Sequence, residues 1–319
     1  MRTIESKSPA SRSRGGSCQG RKRAALCVAA LLAGAASPAF AADRTHAAPP
    51  EFATPQSSPW ISVIAANEII GRRLIDPRGQ DIGRIENILL DLNTGRASYL
   101  VVAPAGALGE DGRKPLLPIS VVRLTSFVVT EGSRDVRASV SGDTVAKAPG
   151  LDRDNVADLV RPETAAAIAT YYGIAPDPHA GAQPARLVLV DHDAVFSLPP
   201  SSGLPVAIRD MAVRHPAKGE IGDIDRVIID PESHRVVYLL IAQGGFLGLG
   251  GTWTPVPLQA LDWSDQDRAF VLRAGPPAEG WPALRKESLP DRVHRDELRR
   301  LYERFGTVPD ATGMETVSD

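Results

Sequence analysis

A segment of 40 residues occurs twice in this 319-residue chain: positions 82–121 align without a gap to positions 221–260, at a constant offset of 139. Thirteen positions are identical, among them Gly83/Gly222, Asp91/Asp230, Arg96/Arg235, Tyr99/Tyr238 and Gly109/Gly248, and many others exchange Ile, Leu and Val. Two copies with so long a period describe two domains, because solenoid repeats of roughly 20–50 residues need three or more copies to close a core.

Each copy opens with β patterning. In the first, Asp76-Pro77-Arg78-Gly79 is a turn signal, and Asp91-Leu92-Asn93-Thr94-Gly95 is a second turn joining Ile85–Leu90 to Ala97–Ala103 as a hairpin. In the second, Val236-Val237-Tyr238-Leu239-Leu240-Ile241 is a continuous apolar run, the pattern of a strand covered on both faces. Pro255 and Pro257 restrict Thr254–Leu258 to an edge strand or an extended path. After each β portion the pattern turns helical: Pro162 to Tyr172 ends at Gly173, and Pro290 to Phe305 ends at Gly306. Between the copies, Leu187–Val190 and Ala194–Phe196 predict an additional strand or hairpin.

The run Asp76 to Glu86, the turn Asp91–Arg96 and Tyr99-Leu100-Val101-Val102 resemble the PRC-barrel family, and the second copy carries the same signature from Lys218 to Gly250. The resemblance implies a mainly β (α+β overall) fold of two small PRC-barrel-like β-barrels, each followed by a helical appendage, of the type found in the photosynthetic reaction-centre H subunit and in a ribosome-maturation factor. The family's roles imply docking to a protein partner or a complex. Gly95 in copy one is His234 in copy two, and the aromatic Phe246 has no counterpart at Ala107, so the copies are expected to present different surfaces.

Seven Lys and Arg residues and one acid precede an apolar run from Ala24 to Ala36, and Ala39-Phe40-Ala41 offers a cleavage site. This reads as a cleavable signal peptide and a periplasmic location, with a retained anchor as the rival; thirteen residues fall short of the roughly 20 that span a bilayer. Cleavage would remove both cysteines, Cys18 and Cys27, and leave 278 residues with net charge −8, against −2 for the whole chain. No cysteine metal site or disulfide framework can then form, and a nucleic-acid role is disfavoured. The 43% hydrophobic, 23% charged composition is that of a globular protein. The expected organisation is signal peptide 1–41, tether 42–61, first barrel with its helix 62–175, inter-repeat segment 176–203, second barrel with its helix 204–308 and tail 309–319.

Chemical candidates are few. Gly245, Gly248, Gly250 and Gly251 do not lead into a helix, so a strand-to-strand loop is expected rather than a phosphate loop. Phe246, Leu247, Leu249 and Trp253 either cover the barrel mouth or grip a partner. Asp191-His192-Asp193 has the residue types of an oriented base or metal site, yet adjacent strand residues face opposite ways and no nucleophile accompanies them; a polar turn is expected. Asp91–Gly95 carries Val102 where a calcium loop needs its glutamate, and reads as a β-turn. The arginines of 292–304 alternate with acids and read as a solvated helix face. The sequence thus predicts an exported non-enzymatic binding or scaffold protein without catalytic residues, cofactor or metal, with no stable membrane span after cleavage. The alternative is a periplasmic hydrolase or other small-molecule enzyme using Asp191, His192 and Asp193.

Overall fold

Strand pairing in the first copy starts from a bend that its side chains impose. Asp76 is buried and its Oδ1 accepts the Arg78 and Gln80 N–H groups, each at 2.8 Å, turning the chain into a long strand. The second copy has His215 at this place, where the ring Nδ1 accepts the Ala217 N–H at 3.0 Å. The computed structural model describes residues 58–105, 114–130, 133–151, 161–175, 185–192, 207–244, 251–273, 283–285 and 289–308, all within the compact unit Gln56–Asp319. The expected signal peptide, nearly all of the expected tether, Asp193, Ala194–Phe196, Phe246, Leu247, Leu249 and the expected tail lie outside the described residues.

Along the chain run β1 (Trp60–Ser62), β2 (Ile64–Ala65), α1 (Ala66–Ile69), β3 (Arg73–Ile75), β4 (Asp81–Asp91), β5 (Arg96–Pro104) and β6 (Lys114–Pro118). Then follow β7 (Val122–Thr130), β8 (Ser133–Ala138), α2 (Gly142–Ala146), β9 (Gly150–Leu151), α3 (Pro162–Tyr171) and β10 (Leu187–Leu189). The remainder is β11 (Ala212–His215), β12 (Gly219–Ile229), β13 (Val236–Gln243), β14 (Thr252–Val256), β15 (Leu261–Ser264), β16 (Ala269–Leu272), β17 (Leu284–Arg285), β18 (Arg292–His294) and α4 (Arg295–Arg304). The fold is mainly β, as expected. One sheet has the order β7-β8-β3-β4-β5-β6-β9 and the other β15-β16-β11-β12-β13-β14-β17, the same succession in each. Neither closes into a barrel among the described residues; both are open paths.

The registers coincide residue for residue. Ile85↔Val102, Asn87↔Val101 and Leu90↔Ala97 in the first sheet become Ile224↔Ile241, Arg226↔Leu240 and Ile229↔Val236 in the second, each shifted by 139. The irregularities coincide too, placing Glu86 and Asp225 as extra residues in equivalent bulges. A second irregularity leaves Val237 unpaired beside Tyr238, which explains how the run 236–241 is buried throughout: Val236, Leu239 and Ile241 face one core, Val237, Tyr238 and Leu240 another.

Two short strands cross between the sheets. β2 precedes the first sheet in sequence but pairs with β12, Ile64↔Ile229 and Ala65↔Ile228. β10 precedes the second sheet but pairs with β4, Val188↔Leu90 and Leu189↔Leu89. The exchange is reciprocal, so the sequence segments and the sheets do not coincide. Its consequence is one apolar core in which Leu74, Ile85 and Leu100 lie in the same cluster as Val213, Ile224 and Leu239. Outside this core, α3 covers the first sheet through Ile168 against Leu89 and Val101, and α4 covers the second through Leu298 and Tyr302 against Val237 and Leu240.

α4 begins five residues after Pro290, because Arg292–His294 first pair with Trp60–Ser62, of which Trp60 and Ile61 end the expected tether. The His294 ring then caps the helix, accepting the Asp296 N–H at 3.3 Å. No helix among the described residues is long and apolar enough to cross a membrane.

Candidate functional site

The turn between the two hairpin strands is built identically in both sheets. Asp91 Oδ1 accepts the Asn93 N–H and Asp230 Oδ1 the Glu232 N–H, both at 2.9 Å, while Thr94 and Ser233 hydroxyls donate to the other carboxylate oxygens. These carboxylates are occupied by their own turns, in agreement with the β-turn reading.

The turns also meet each other. The Ala97 N–H donates to the His234 carbonyl at 2.9 Å and the Val236 N–H to the Gly95 carbonyl at 2.8 Å, with Arg96 bridged to Arg235 between them. The 139 offset exchanges the first two bonds and pairs Arg96 with its own equivalent, so the junction has a local twofold character. Arg96 adds a bond from Nη2 to the Ser233 carbonyl at 2.9 Å.

Gly95 and His234 occupy the same left-handed conformation, φ 63° and 59°. Glycine adopts it freely, whereas an L side chain pays roughly 1–2 kcal/mol. Burial, with the Arg96 charge, lowers the His234 pKa, against the opposing pull of Asp230. A lowered folded-state pKa favours the neutral ring, so this contribution is present above the ordinary histidine value and is lost as pH falls below about 6.5. His234→Gly is therefore expected to stabilise the protein by about 1 kcal/mol at pH 8 and by more at pH 5; urea midpoints at the two pH values check it.

Of the acid–imidazole cluster, Asp191 and His192 are described. Asp191 Oδ2 accepts Arg209 Nη1 at 2.7 Å, and His192 Nε2 lies 3.1 Å from the Arg209 carbonyl, to which it donates. The buried Asn87 clamps the same strand end, giving Nδ2 to the Asp191 carbonyl at 2.8 Å and accepting the Asp191 N–H at 3.1 Å and the Ile88 N–H at 2.9 Å. These bonds fasten the end of β10, after it has crossed to the first sheet, to both β4 and Arg209. Among the described residues no group of three His, Cys, Asp or Glu side chains stands close enough to hold a metal ion.

Trp253, the described member of the loop surface, is 3% exposed. Its Nε1 donates to Asp225 Oδ2 at 2.6 Å, and the Arg226 guanidinium lies over its ring, 5.1 Å from the centroid. The equivalent residues of the first sheet are Lys114 and Glu86, which form an ion pair. Both bulged acids are thus met by a donor from the second strand over, an indole in one sheet and an ammonium in the other. Trp253 fills the core under α4, along with Tyr238, whose pKa burial pushes up to about 12.

The second sheet carries an acidic edge where burial, then Glu220 and Asp210, raise the Asp223 pKa. The arginines of α4 are more varied than one solvated face: Arg295 donates to the Ser58 carbonyl and Arg299 to Asp296, whereas Arg300 and Arg304 border a groove against the second sheet. The apolar spacing Leu298, Tyr302 and Phe305 was the signal for that buried side.

Residues 62–136 match the PRC-barrel domain family. No curated protein matches the chain.

Proposed function

We propose, from the PRC-barrel domain at residues 62–136, that this chain is an exported, non-catalytic docking protein. In this reading, residues 204–274 form a second PRC-barrel-like module, and the pair binds a protein partner or envelope complex in the periplasm. The coincident registers and the reciprocal strand exchange support the second module.

The observation that carries the docking reading is the engagement of the acid–imidazole cluster. Asp191 is bonded to Arg209 and Asn87, and His192 to a backbone carbonyl, so the groups with the residue types of an active site act as fasteners of β10. A family module of non-catalytic type, presented twice on one body, offers two related surfaces whose differences let one face select a partner.

Crosslinking in whole cells with identification of captured proteins tests the reading. The expected result is recovery of a defined envelope protein, together with release of the chain by osmotic shock if it is unanchored. His192→Ala should leave capture unchanged. Failure to recover any envelope partner, with turnover that His192→Ala abolishes, would replace docking with the hydrolase alternative.

A further inference from the structure

A groove of about 520 Å³ runs between α4 and the second sheet, within the range of roughly 300–1,000 Å³ typical of small-ligand sites. Its apolar lining includes Trp60, Tyr238, Leu298 and Leu301. Among the described residues its charged lining is three arginines, Arg292, Arg300 and Arg304, against the single acid Glu297. Among the described residues, the side chains of Arg292 and Arg300 make no hydrogen bond or ion pair. This local positive excess stands on a chain whose net charge is −2.

We propose that the groove binds a single-chain anionic amphiphile of the fatty-acid class, the alkyl chain lying on Tyr238, Leu298 and Leu301 and the carboxylate held by Arg292 and Arg300. Charge complementarity selects the head group, since a planar guanidinium pairs with a carboxylate through two parallel donors. The rest of the lining selects the tail. Among the described residues no Ser, Thr, Asn or Gln borders the groove, so its apolar stretch suits an alkyl chain, which has no amide groups to satisfy, better than a peptide. Trp60, 48% exposed at the groove and edge-on to His294, adds an aromatic wall that an alkyl chain can cover.

Calorimetric titration of the purified full-length chain with sodium laurate, below its micelle concentration, tests the assignment. Saturable one-to-one binding is expected, with 1-dodecanol and dodecyltrimethylammonium each at least tenfold weaker. Arg292→Gln with Arg300→Gln should weaken laurate at least tenfold and leave dodecanol unchanged, while lysine at both positions retains most of the affinity. The head-group series on the unaltered protein decides the matter even if the double variant folds poorly. Absence of saturable laurate binding, affinity independent of head-group charge, or tighter binding of a synthetic peptide of residues 309–319 than of laurate would overturn the proposal.

Discussion

Alanine at Gly83 or at Gly222 is expected to destabilise the protein by at least about 3 kcal/mol in each case. Gly83 and Gly222 sit at φ 146° and 148°, a conformation L side chains rarely adopt. A Cβ on Gly83 would stand 2.3 Å from the Ala103 carbonyl oxygen, and one on Gly222 would stand 2.0 Å from that of Ala242. Neither neighbour can yield as a flexible side chain would, because each belongs to the strand paired alongside: Pro104 and Ala103 lie opposite Gly83 and Arg84, and Ala242 opposite Asp223. Gly79 separates the two components. Its φ is +83° with no atom within 4 Å of a built Cβ, so Gly79→Ala is expected to cost only the backbone strain, about 1–2 kcal/mol. Urea unfolding of the three variants checks this; equal losses at positions 79 and 83 would show that close strand approach adds nothing. Since residues of both sheets share one core cluster, either substitution is expected to shift a single transition rather than split it.

What could be read from the residues alone follows from how local the physical demand is. Gly83 and Gly222 are identical because strand approach forbids a Cβ, and Asp91 and Asp230 because a carboxylate must receive the turn N–H groups. Such requirements act within a few residues, so they leave identities at a fixed offset. The reciprocal exchange left no comparable trace. β2 contributes two residues and β10 three, too few for a period, and which sheet edge they join is decided by the space that β3 and β11 vacate along β4 and β12. Function was harder still, because equivalent positions hold unlike chemistry. Lys114 with Glu86 and Trp253 with Asp225 solve one problem, yet Trp253 in isolation also admits a partner-anchor reading beside core coverage. Likewise, Asp191 and His192 have the composition of a catalytic pair, and only the arrival of Arg209 and Asn87 from distant sequence reveals what those side chains hold.

The same comparison between the sheets yields the second large effect. Arg73 on β3 donates to Asp135 on the parallel strand β8, Nη2 to Oδ2 at 2.7 Å and Nε to Oδ1 at 3.2 Å. The Asp135 side chain is 1% exposed and that of Arg73 38% exposed. The pair is therefore asymmetric: the guanidinium can return to water if its partner is removed, but the carboxylate cannot. Arg73→Ala is expected to cost about 3–5 kcal/mol, the range for removing one partner of a buried ion pair. Asp135→Ala should cost less, about 1–2 kcal/mol, chiefly a hydrogen bond to a charged group. The second sheet already contains the neutral solution. Val213↔Phe270 corresponds to Leu74↔Val136, which places Ala212 and Ala269 where the first sheet has Arg73 and Asp135. The double variant Arg73→Ala/Asp135→Ala should accordingly recover most of the loss seen in Arg73→Ala, giving a large coupling in a double-mutant cycle measured by urea denaturation. If Arg73→Ala proves no more damaging than Asp135→Ala, the buried carboxylate does not depend on this guanidinium, and the ion pair is not what joins β3 to β8.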